Sequence, residues 1–76
     1  MENEKVMYTK PGCVKCSFLE KILNKKSIIF SKKNISEDDN SRLKLENNNI
    51  MSLPVMEIDG NLISDYNQLL SLFKGA

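Results

Sequence analysis

The chain has 76 residues, which allows one small domain over residues 1–76 and leaves no length for a second. Eleven Lys and Arg against ten Asp and Glu leave a formal net charge of +1, which argues against a basic nucleic-acid arm or an acidic tail. An apolar fraction of 41% is too high for a disordered segment, and the apolar runs are too short to span a membrane.

The N-terminal half of the sequence is predicted to form a β-α-β unit. Lys5–Thr9 is a short β-prone run that is stopped by the Lys-Pro-Gly sequence at residues 10–12. From Cys13 to about Lys26, apolar residues recur at helical spacing and predict an amphipathic helix, with a stripe formed by Val14, Phe18, Leu19, Ile22 and Leu23. Residues 27–34 are predicted as a second strand, with an apolar part formed by Ile28, Ile29 and Phe30.

A second helix is predicted from Ser36 to about Glu46. Ser36 can cap this helix, and the acidic residues 37–39 then lie in its first turn, where the helix dipole favours negative charge. The expected buried residues are Leu43 and Leu45, and the three asparagines that follow end the helix. With so small an apolar face, this helix is expected to be lightly packed.

The C-terminal third is predicted as a hairpin followed by a helix. The strand Val55–Ile58 precedes Asp59-Gly60, the strongest hairpin signal in the sequence, so Leu62–Ile63 should fold back antiparallel. The last helix is predicted over Tyr66–Phe73, and its expected buried residues are Leu69, Leu70 and Phe73. The candidate N-caps of this helix are the two residues that precede it, Ser64 and Asp65.

The predicted order of elements is therefore β-α-β-α-β-β-α. The first unit should contribute two parallel strands, and the hairpin should add antiparallel strands to the same sheet. A four-stranded mixed sheet with helices on both faces buries all of these apolar stripes, so we expect a compact α/β fold.

The sequence contains two cysteines, Cys13 and Cys16, and no histidine. The absence of histidine removes imidazole-based acid/base chemistry and most zinc-site patterns. A disulfide between residues so close in sequence would constrain the unfolded chain little, so it would add little to the stability of the fold. Since no apolar stretch of signal-peptide length precedes them, we expect a cytosolic chain, where paired thiols indicate redox chemistry or metal binding. The remaining alternative is two incidental buried cysteines.

A Cys-x-x-Cys pair that opens a helix after a strand and a turn favours the redox interpretation. The unpaired N–H groups and the dipole at a helix start stabilise a thiolate, which lowers the pKa of the cysteine there. Lys10 and Lys15 add positive charge nearby. Cys13 is then the exposed nucleophile, and Cys16, one turn deeper on the same face, is placed to resolve a mixed disulfide.

The metal interpretation needs more ligands than this chain offers by itself. A closed zinc site takes four ligands, and the sequence has two thiols and no imidazole. Metal binding would require a dimer that shares its cysteines, or exogenous thiols that complete an iron–sulfur cluster. No glycine-rich nucleotide-binding loop is present.

Residues 8–16, with the sequence YTKPGCVKC, resemble the active-site signature of the glutaredoxins. Leu53-Pro54-Val55 resembles the second signature of that family, a cis-proline loop that faces the cysteines. The resemblance covers essentially the whole chain and implies the thioredoxin fold, dithiol–disulfide exchange and a redox-active Cys13–Cys16 disulfide. It also implies that Pro54 is cis and that the backbone of Leu53 pairs with the chain of the bound thiol.

The chain departs from the glutaredoxin pattern before the last helix. Glutathione-using members carry a Gly-Gly pair there, followed by an acidic residue that holds the γ-glutamyl end, whereas this chain has Ser64 and Asp65 without either glycine. A serine followed by an aromatic two positions later is more similar to the glutaredoxin-like electron donors of ribonucleotide reductase, which thioredoxin reductase reduces. Lys10 nevertheless matches the position that pairs with the glycine carboxylate of glutathione.

Together these observations predict a cytosolic dithiol–disulfide oxidoreductase that reduces protein or glutathione mixed disulfides. We expect a monomer without bound metal or cofactor, whose electron source is glutathione or thioredoxin reductase. Its substrates would be disulfide-containing proteins, with ribonucleotide reductase as a candidate, and not nucleic acid or membranes. The candidate thiol-binding residues are Lys10, Leu53, Pro54, Ser64 and Asp65. Two alternatives remain open: an iron–sulfur or zinc carrier that uses Cys13 in a dimer, and a redox-sensing subunit without turnover.

Overall fold

The computed structural model describes residues 4–73, so the first three and last three residues of the predicted domain lie outside the described part. Seven elements occur in the predicted order: β1 Lys5–Thr9, α1 Val14–Lys25, β2 Ser31–Asn34, α2 Asp39–Asn47, β3 Val55–Ile58, β4 Asn61–Ile63 and α3 Tyr66–Phe73. Within this part of the chain, no helix is long and apolar enough to cross a membrane.

The four strands of the described residues form one mixed sheet, as predicted, and their order in the sheet is β2-β1-β3-β4. β1 pairs in parallel with β2, and it pairs antiparallel with β3, where Met7 lies opposite Met56. β3 and β4 form the predicted hairpin, and both residues of its turn have positive φ, 52° at Asp59 and 86° at Gly60. This conformation matches the twist of the flanking strands, which is why an Asp-Gly pair predicts a hairpin.

The core is divided between the two faces of the sheet, because successive strand residues point to opposite sides. Met7 belongs to the first cluster, in which the sheet packs against α1 and α3; its buried members are Met7, Leu19, Leu23, Met56, Leu69 and Phe73. Tyr8 belongs to the second, smaller cluster, which includes α2; its buried members are Tyr8, Leu45 and Val55. The prediction of helices on both faces is therefore confirmed.

The second strand is shorter than the sequence predicts, because α1 ends in a chain reversal. Ser27 has a φ of 59°, and its N–H donates to the carbonyl of Asn24 at 3.1 Å. The N–H of Ile28 donates to the carbonyl of Leu23 at 2.9 Å, which completes a Schellman motif. Residues 28–30 are thus a return segment that packs partly on the first cluster, and only residues 31–34 pair with β1.

The N-terminus of α2 is also placed differently from the prediction. The cap is Asp38 and not Ser36: its Oδ1 accepts the N–H groups of Asn40 and Ser41 at 3.2 and 3.4 Å. The Ser41 hydroxyl donates to the other carboxylate oxygen at 2.7 Å. The helix begins after Ser36 because the preceding residues form a turn, in which the N–H groups of Glu37 and Asp38 both donate to the carbonyl of Asn34 at 3.0 Å.

The buried face of α2 contains Leu45, as predicted, but Leu43 is exposed, so that part of the prediction was wrong. The helix ends at a second Schellman motif, in which Asn49 has a φ of 58° and the N–H of Ile50 donates to the carbonyl of Leu45 at 2.9 Å. This reversal brings Ile50 back against the same cluster as Leu45.

The remaining helices follow their predicted ranges with a shifted buried face in α1. Val14 and Phe18, predicted in the apolar stripe, are exposed. The buried side of α1 is formed by Cys16, Leu19 and Leu23. In α3 the predicted burial is confirmed, fully for Leu69 and Phe73 and partly for Leu70.

Candidate active site

A tight turn connects β1 to α1 and delivers Cys13 to the start of the helix. The N–H of Cys13 donates to the carbonyl of Lys10 at 3.4 Å, with Pro11 and Gly12 between them. Gly12 has a φ of 81°, a conformation that residues with a side chain rarely adopt. Proline followed by a glycine of positive φ is the arrangement of a type II turn, so the local sequence determines this connection.

Cys13 is the N-cap residue of α1, with φ −83° and ψ 105°. Its Sγ accepts the backbone N–H of Cys16 at 3.1 Å, in the position that a serine or aspartate oxygen takes in an ordinary cap. No acidic residue lies in the first turn of α1 to compete for these N–H groups. A negative charge on this sulfur would be stabilised by the hydrogen bond and by the helix dipole.

The two cysteines differ in their access to solvent. Cys13 is partly exposed, whereas Cys16 is only 2% exposed and lies one turn into the helix. Their Cα atoms are 5.2 Å apart, and the two sulfurs are joined as a disulfide. An incoming group therefore meets Cys13 first, with Cys16 directly behind it.

The loop before β3 lies next to Cys13. The Leu53–Pro54 peptide bond is cis, as the resemblance implies, and Pro54 is buried while Leu53 is partly exposed. Leu53 and Cys13 line one groove of about 540 Å³, which we call the apolar groove. Its lining residues are Lys10, Cys13, Ile35, Arg42, Leu45, Glu46, Ile50, Met51, Ser52 and Leu53. At its rim, the side chain of Met51 is 99% exposed.

A second, polar cavity of about 280 Å³ also borders Cys13. Lys10 and Cys13 line both this cavity and the apolar groove. Two residues that line this cavity form an ion pair, in which Lys32 Nζ lies 3.0 Å from Glu20 Oε2. Cys13 is thus flanked by one apolar and one polar recess.

The predicted thiol-binding residues divide into two groups. Lys10 and Leu53 line the apolar groove with Cys13, whereas Pro54 is buried and does not line it. Ser64 and Asp65 line neither of the two cavities beside Cys13. Asp65 instead caps α3, where its Oδ1 accepts the N–H groups of Asn67 and Gln68 at 3.0 and 3.3 Å, in agreement with the capping prediction.

One contact that the sequence analysis missed joins the Cys-x-x-Cys segment to α3. The Nζ of Lys15 lies 5.2 Å from the centre of the Tyr66 ring, within the range of a cation–π interaction. In the sequence analysis each residue has a separate role, and nothing in the sequence marks the pair, because the two residues are far apart in the chain.

A polar network on the α2 side of the sheet was also missed. The Tyr8 hydroxyl donates to Glu57 Oε1, and Lys44 Nζ lies 2.9 Å from both Glu57 oxygens. The hydrogen bond from Tyr8 and then that from Lys44 lower the pKa of Glu57, while Glu57 raises the pKa of Lys44. Burial, followed by the hydrogen bond to Glu57, raises the pKa of Tyr8. The three residues lie on three different elements, so no sequence pattern marks this network.

Within residues 4–73, no group of three or more His, Cys, Asp or Glu side chains is placed to hold a metal ion.

Comparison with solved structures identifies the fold. The glutaredoxin-like protein NrdH-redoxin from Escherichia coli superposes with a TM-score of 0.79 at 18% identity, over 91% of this chain and 93% of that one. A mutant of the thioredoxin-like protein BC3987 gives 0.78 at 19% identity, over 92% and 97%. Glutaredoxin from Brucella melitensis gives 0.72 at 23% identity, over 91% and 76%. The chain therefore has the thioredoxin fold.

The sequence itself identifies the family. A comparison with curated protein sequences gives no match. The Glutaredoxin family pattern, however, matches residues 6–63, which is most of the chain and includes both cysteines and the cis-proline loop. The family and the bonded cysteine pair support thiol–disulfide oxidoreductase chemistry. The chain belongs to the glutaredoxin family.

Proposed function

We propose that this protein is a dithiol–disulfide oxidoreductase in which Cys13 attacks the substrate and Cys16 resolves the intermediate. The observation that carries the proposal is the position of the Cys13 sulfur at the N-cap of α1, where it accepts the Cys16 N–H at 3.1 Å. The burial of Cys16 behind it supports the division of roles.

The reaction proceeds in two exchanges. The Cys13 thiolate attacks one sulfur of a substrate disulfide, the substrate S–S bond breaks, and the departing thiolate takes a proton from solvent. Cys16, losing its own proton, then attacks the Cys13 sulfur and releases the second substrate thiol. The substrate gains two electrons and two protons, and the protein is left with the Cys13–Cys16 disulfide.

The thiolate is activated by the fold rather than by a general base. The sequence has no histidine, and the first turn of α1 has no acidic residue. The N–H groups at the helix start and the neighbouring Lys10 supply the positive potential that favours the ionised sulfur. A thiol–disulfide exchange needs no further group, because the reactive species is the thiolate itself.

A protein disulfide is the substrate that the apolar groove favours. An extended segment could lie along the groove with its sulfur at Cys13 and its backbone beside Leu53. The groove combines apolar residues with the cation Lys10, while the charge of Arg42 is paired with Asp39 and Glu46; this lining suits an apolar segment. By the resemblance, ribonucleotide reductase in the cytosol is a candidate partner.

Thioredoxin reductase is the proposed electron source, in preference to glutathione. The chain lacks the Gly-Gly pair of glutathione-using members, and the carboxylate of Asp65 is engaged by its own helix. Escherichia coli NrdH-redoxin, which shares the fold, is described as having a thioredoxin-like activity profile. A coupled assay should show faster NADPH consumption with thioredoxin reductase than with glutathione and glutathione reductase; the reverse order would contradict this choice.

The division of roles is tested by a matched pair of variants. Cys13→Ser should abolish reduction of a mixed disulfide, because the attacking sulfur is gone. Cys16→Ser should still attack and should accumulate a covalent adduct that mass spectrometry detects. Full activity in both variants would contradict the mechanism. A brown, iron-containing dimer on anaerobic purification would instead support the cluster-carrier alternative.

A further inference from the structure

Three elements are joined by the Tyr8–Glu57–Lys44 network, which has no part in the proposed reaction. Tyr8 lies on β1, Glu57 on β3 and Lys44 on α2. Lys44 Nζ contacts both carboxylate oxygens at 2.9 Å, and the Tyr8 hydroxyl donates to one of them. The Glu57 side chain is 18% exposed and Tyr8 2%, whereas the Lys44 side chain is 44% exposed, so the network is buried at Tyr8 and reaches the surface at Lys44.

α2 has few other attachments to the sheet. Of its nine residues, only Ser41 and Leu45 are buried. The ion pairs of Arg42 go to Asp39 and Glu46 of the same helix, so they do not attach it to the sheet. Among the salt bridges of residues 4–73, Lys44–Glu57 alone joins α2 to a strand.

The position of α2 determines the shape of the apolar groove. Arg42, Leu45 and Glu46 form the wall of the groove that α2 supplies. Leu45 also belongs to the second cluster, whose other members that line the groove are Ile35, Ile50 and Leu53. The Tyr8 ring lies in that cluster, while its hydroxyl is fixed by Glu57. A shift of α2 across the sheet would therefore move one wall of the groove relative to Cys13.

We propose that Tyr8, Glu57 and Lys44 are positioning residues that hold α2 as a wall of the apolar groove and so set the affinity for a protein disulfide. None of the three lines the groove, so they act through α2 and not by touching the substrate. This inference rests on the proposed function, because it requires a substrate segment in the groove.

The proposal makes a specific kinetic prediction for Lys44→Met and Glu57→Gln. A small disulfide needs only Cys13, whereas a protein disulfide also needs the groove. KM for insulin should rise about threefold to tenfold, equivalent to ~0.7–1.4 kcal/mol, while kcat changes little. The rate constant for bis(hydroxyethyl) disulfide should be unchanged. The double variant should show less than the sum of the two effects, because either change alone removes the ion pair between α2 and β3.

Matched controls separate positioning from general damage. Lys25→Met removes an exposed lysine from the last turn of α1 and should leave both substrates unaffected. Lys44→Arg keeps a cation beside Glu57 and should restore KM towards that of the unmodified protein. Tyr8→Phe removes one hydroxyl and should raise KM in the same direction by a smaller factor, which tests the proposal if a charge variant does not fold.

The outcomes are distinguishable. An unchanged KM for insulin in Lys44→Met, or an equal loss with both disulfides, would overturn the positioning role and leave the proposed function standing. If the unmodified protein reduced neither disulfide, both proposals would be overturned. All rates should be measured at a temperature where circular dichroism shows each variant to be fully folded.

Discussion

The helices on the two faces of the sheet are held in place by different interactions. On the first face, six buried apolar residues from strands and from α1 and α3 form a continuous cluster. On the second face, three buried residues and the Tyr8–Glu57–Lys44 network fix α2. Cys13, the proposed nucleophile, begins the helix that the first face anchors, whereas the wall of the apolar groove belongs to the second face.

This difference separates two requirements of the proposed reaction. The Cys13 sulfur has to remain at the helix N-terminus, because the stabilisation of a thiolate falls off within a turn. A groove that accepts protein segments can be held less tightly, and elements that bind partners often have low local stability. The apolar cluster of the first face meets the first requirement, and the partly exposed polar network of the second face meets the second.

The largest expected effect comes from removing the same side chain on each face. Leu19→Ala should lower the free energy of unfolding by about 4 kcal/mol and Leu45→Ala by about 2 kcal/mol, because the first cluster is larger and cannot collapse around the cavity. A domain of this size has only ~4–11 kcal/mol in total, so Leu19→Ala should be close to unfolding. Urea denaturation measures both values.

Equal losses in the two leucine variants would show that the faces are held equally strongly. A larger loss for Leu45→Ala would reverse the comparison. Leu72→Ala is the matched control, since this leucine is exposed on α3 and its removal should change stability little.

A smaller effect is expected from the aspartate caps, one of which begins α3 on the first face and the other α2 on the second face. Asp65→Ala removes the α3 cap and should lower the unfolding free energy by about 1 kcal/mol, whereas Asp65→Asn should retain most of it. Asp38→Ala removes the α2 cap and should appear mainly as faster hydrogen exchange of the α2 amides. Equal exchange in α2 and α3 of the two alanine variants would contradict a more weakly held second face.

The same Asp65 variants test the prediction that Asp65 is a thiol-binding residue. If the carboxylate serves only as a cap, turnover with protein disulfides should be retained in both. A loss of turnover in Asp65→Asn, which keeps the cap, would show that the charge contacts a ligand.

The smallest expected effect is a dependence on pH that arises from the network. Because the pKa of Glu57 is lowered in the folded protein, its contribution is complete above the ordinary value of 4.5 and is lost as the pH falls through the folded value. Glu57→Gln should therefore cost less than about 1 kcal/mol at neutral pH, and this difference should shrink in acid. Urea titrations of both proteins at several pH values measure it. A difference that is constant with pH would exclude an ionic role for Glu57.

Local signals predicted much of the fold and of the site. The Pro-Gly turn before Cys13, the helix that starts there and the Asp-Gly hairpin each depend on residues within one turn or loop. Such features are determined by the φ preferences and hydrogen-bonding groups of adjacent residues. The cis-proline loop was expected from the resemblance to the glutaredoxins, and not from its local pattern.

Features that depend on distant parts of the chain were predicted poorly. The apolar run at residues 28–30 indicated a strand, but after the reversal at Ser27 only Ile28 and Phe30 pack on the first cluster, and the polar residues 31–34 pair instead. In α2, Leu43 and Leu45 have the same hydrophobicity, and the orientation of the helix on the sheet buries only Leu45. Neither outcome follows from propensity, because each depends on which surface the rest of the chain presents.

The sequence by itself determined the order of the elements and the chemistry: two thiols three residues apart, placed at the start of a helix by a turn. Those properties follow from neighbouring residues. Only the tertiary structure decided that Lys10, Leu53 and the α2 wall meet Cys13 at one groove, and that Tyr8, Glu57 and Lys44 form one network. Both depend on the packing of α2 across the sheet, which brings residues far apart in the chain within hydrogen-bonding distance.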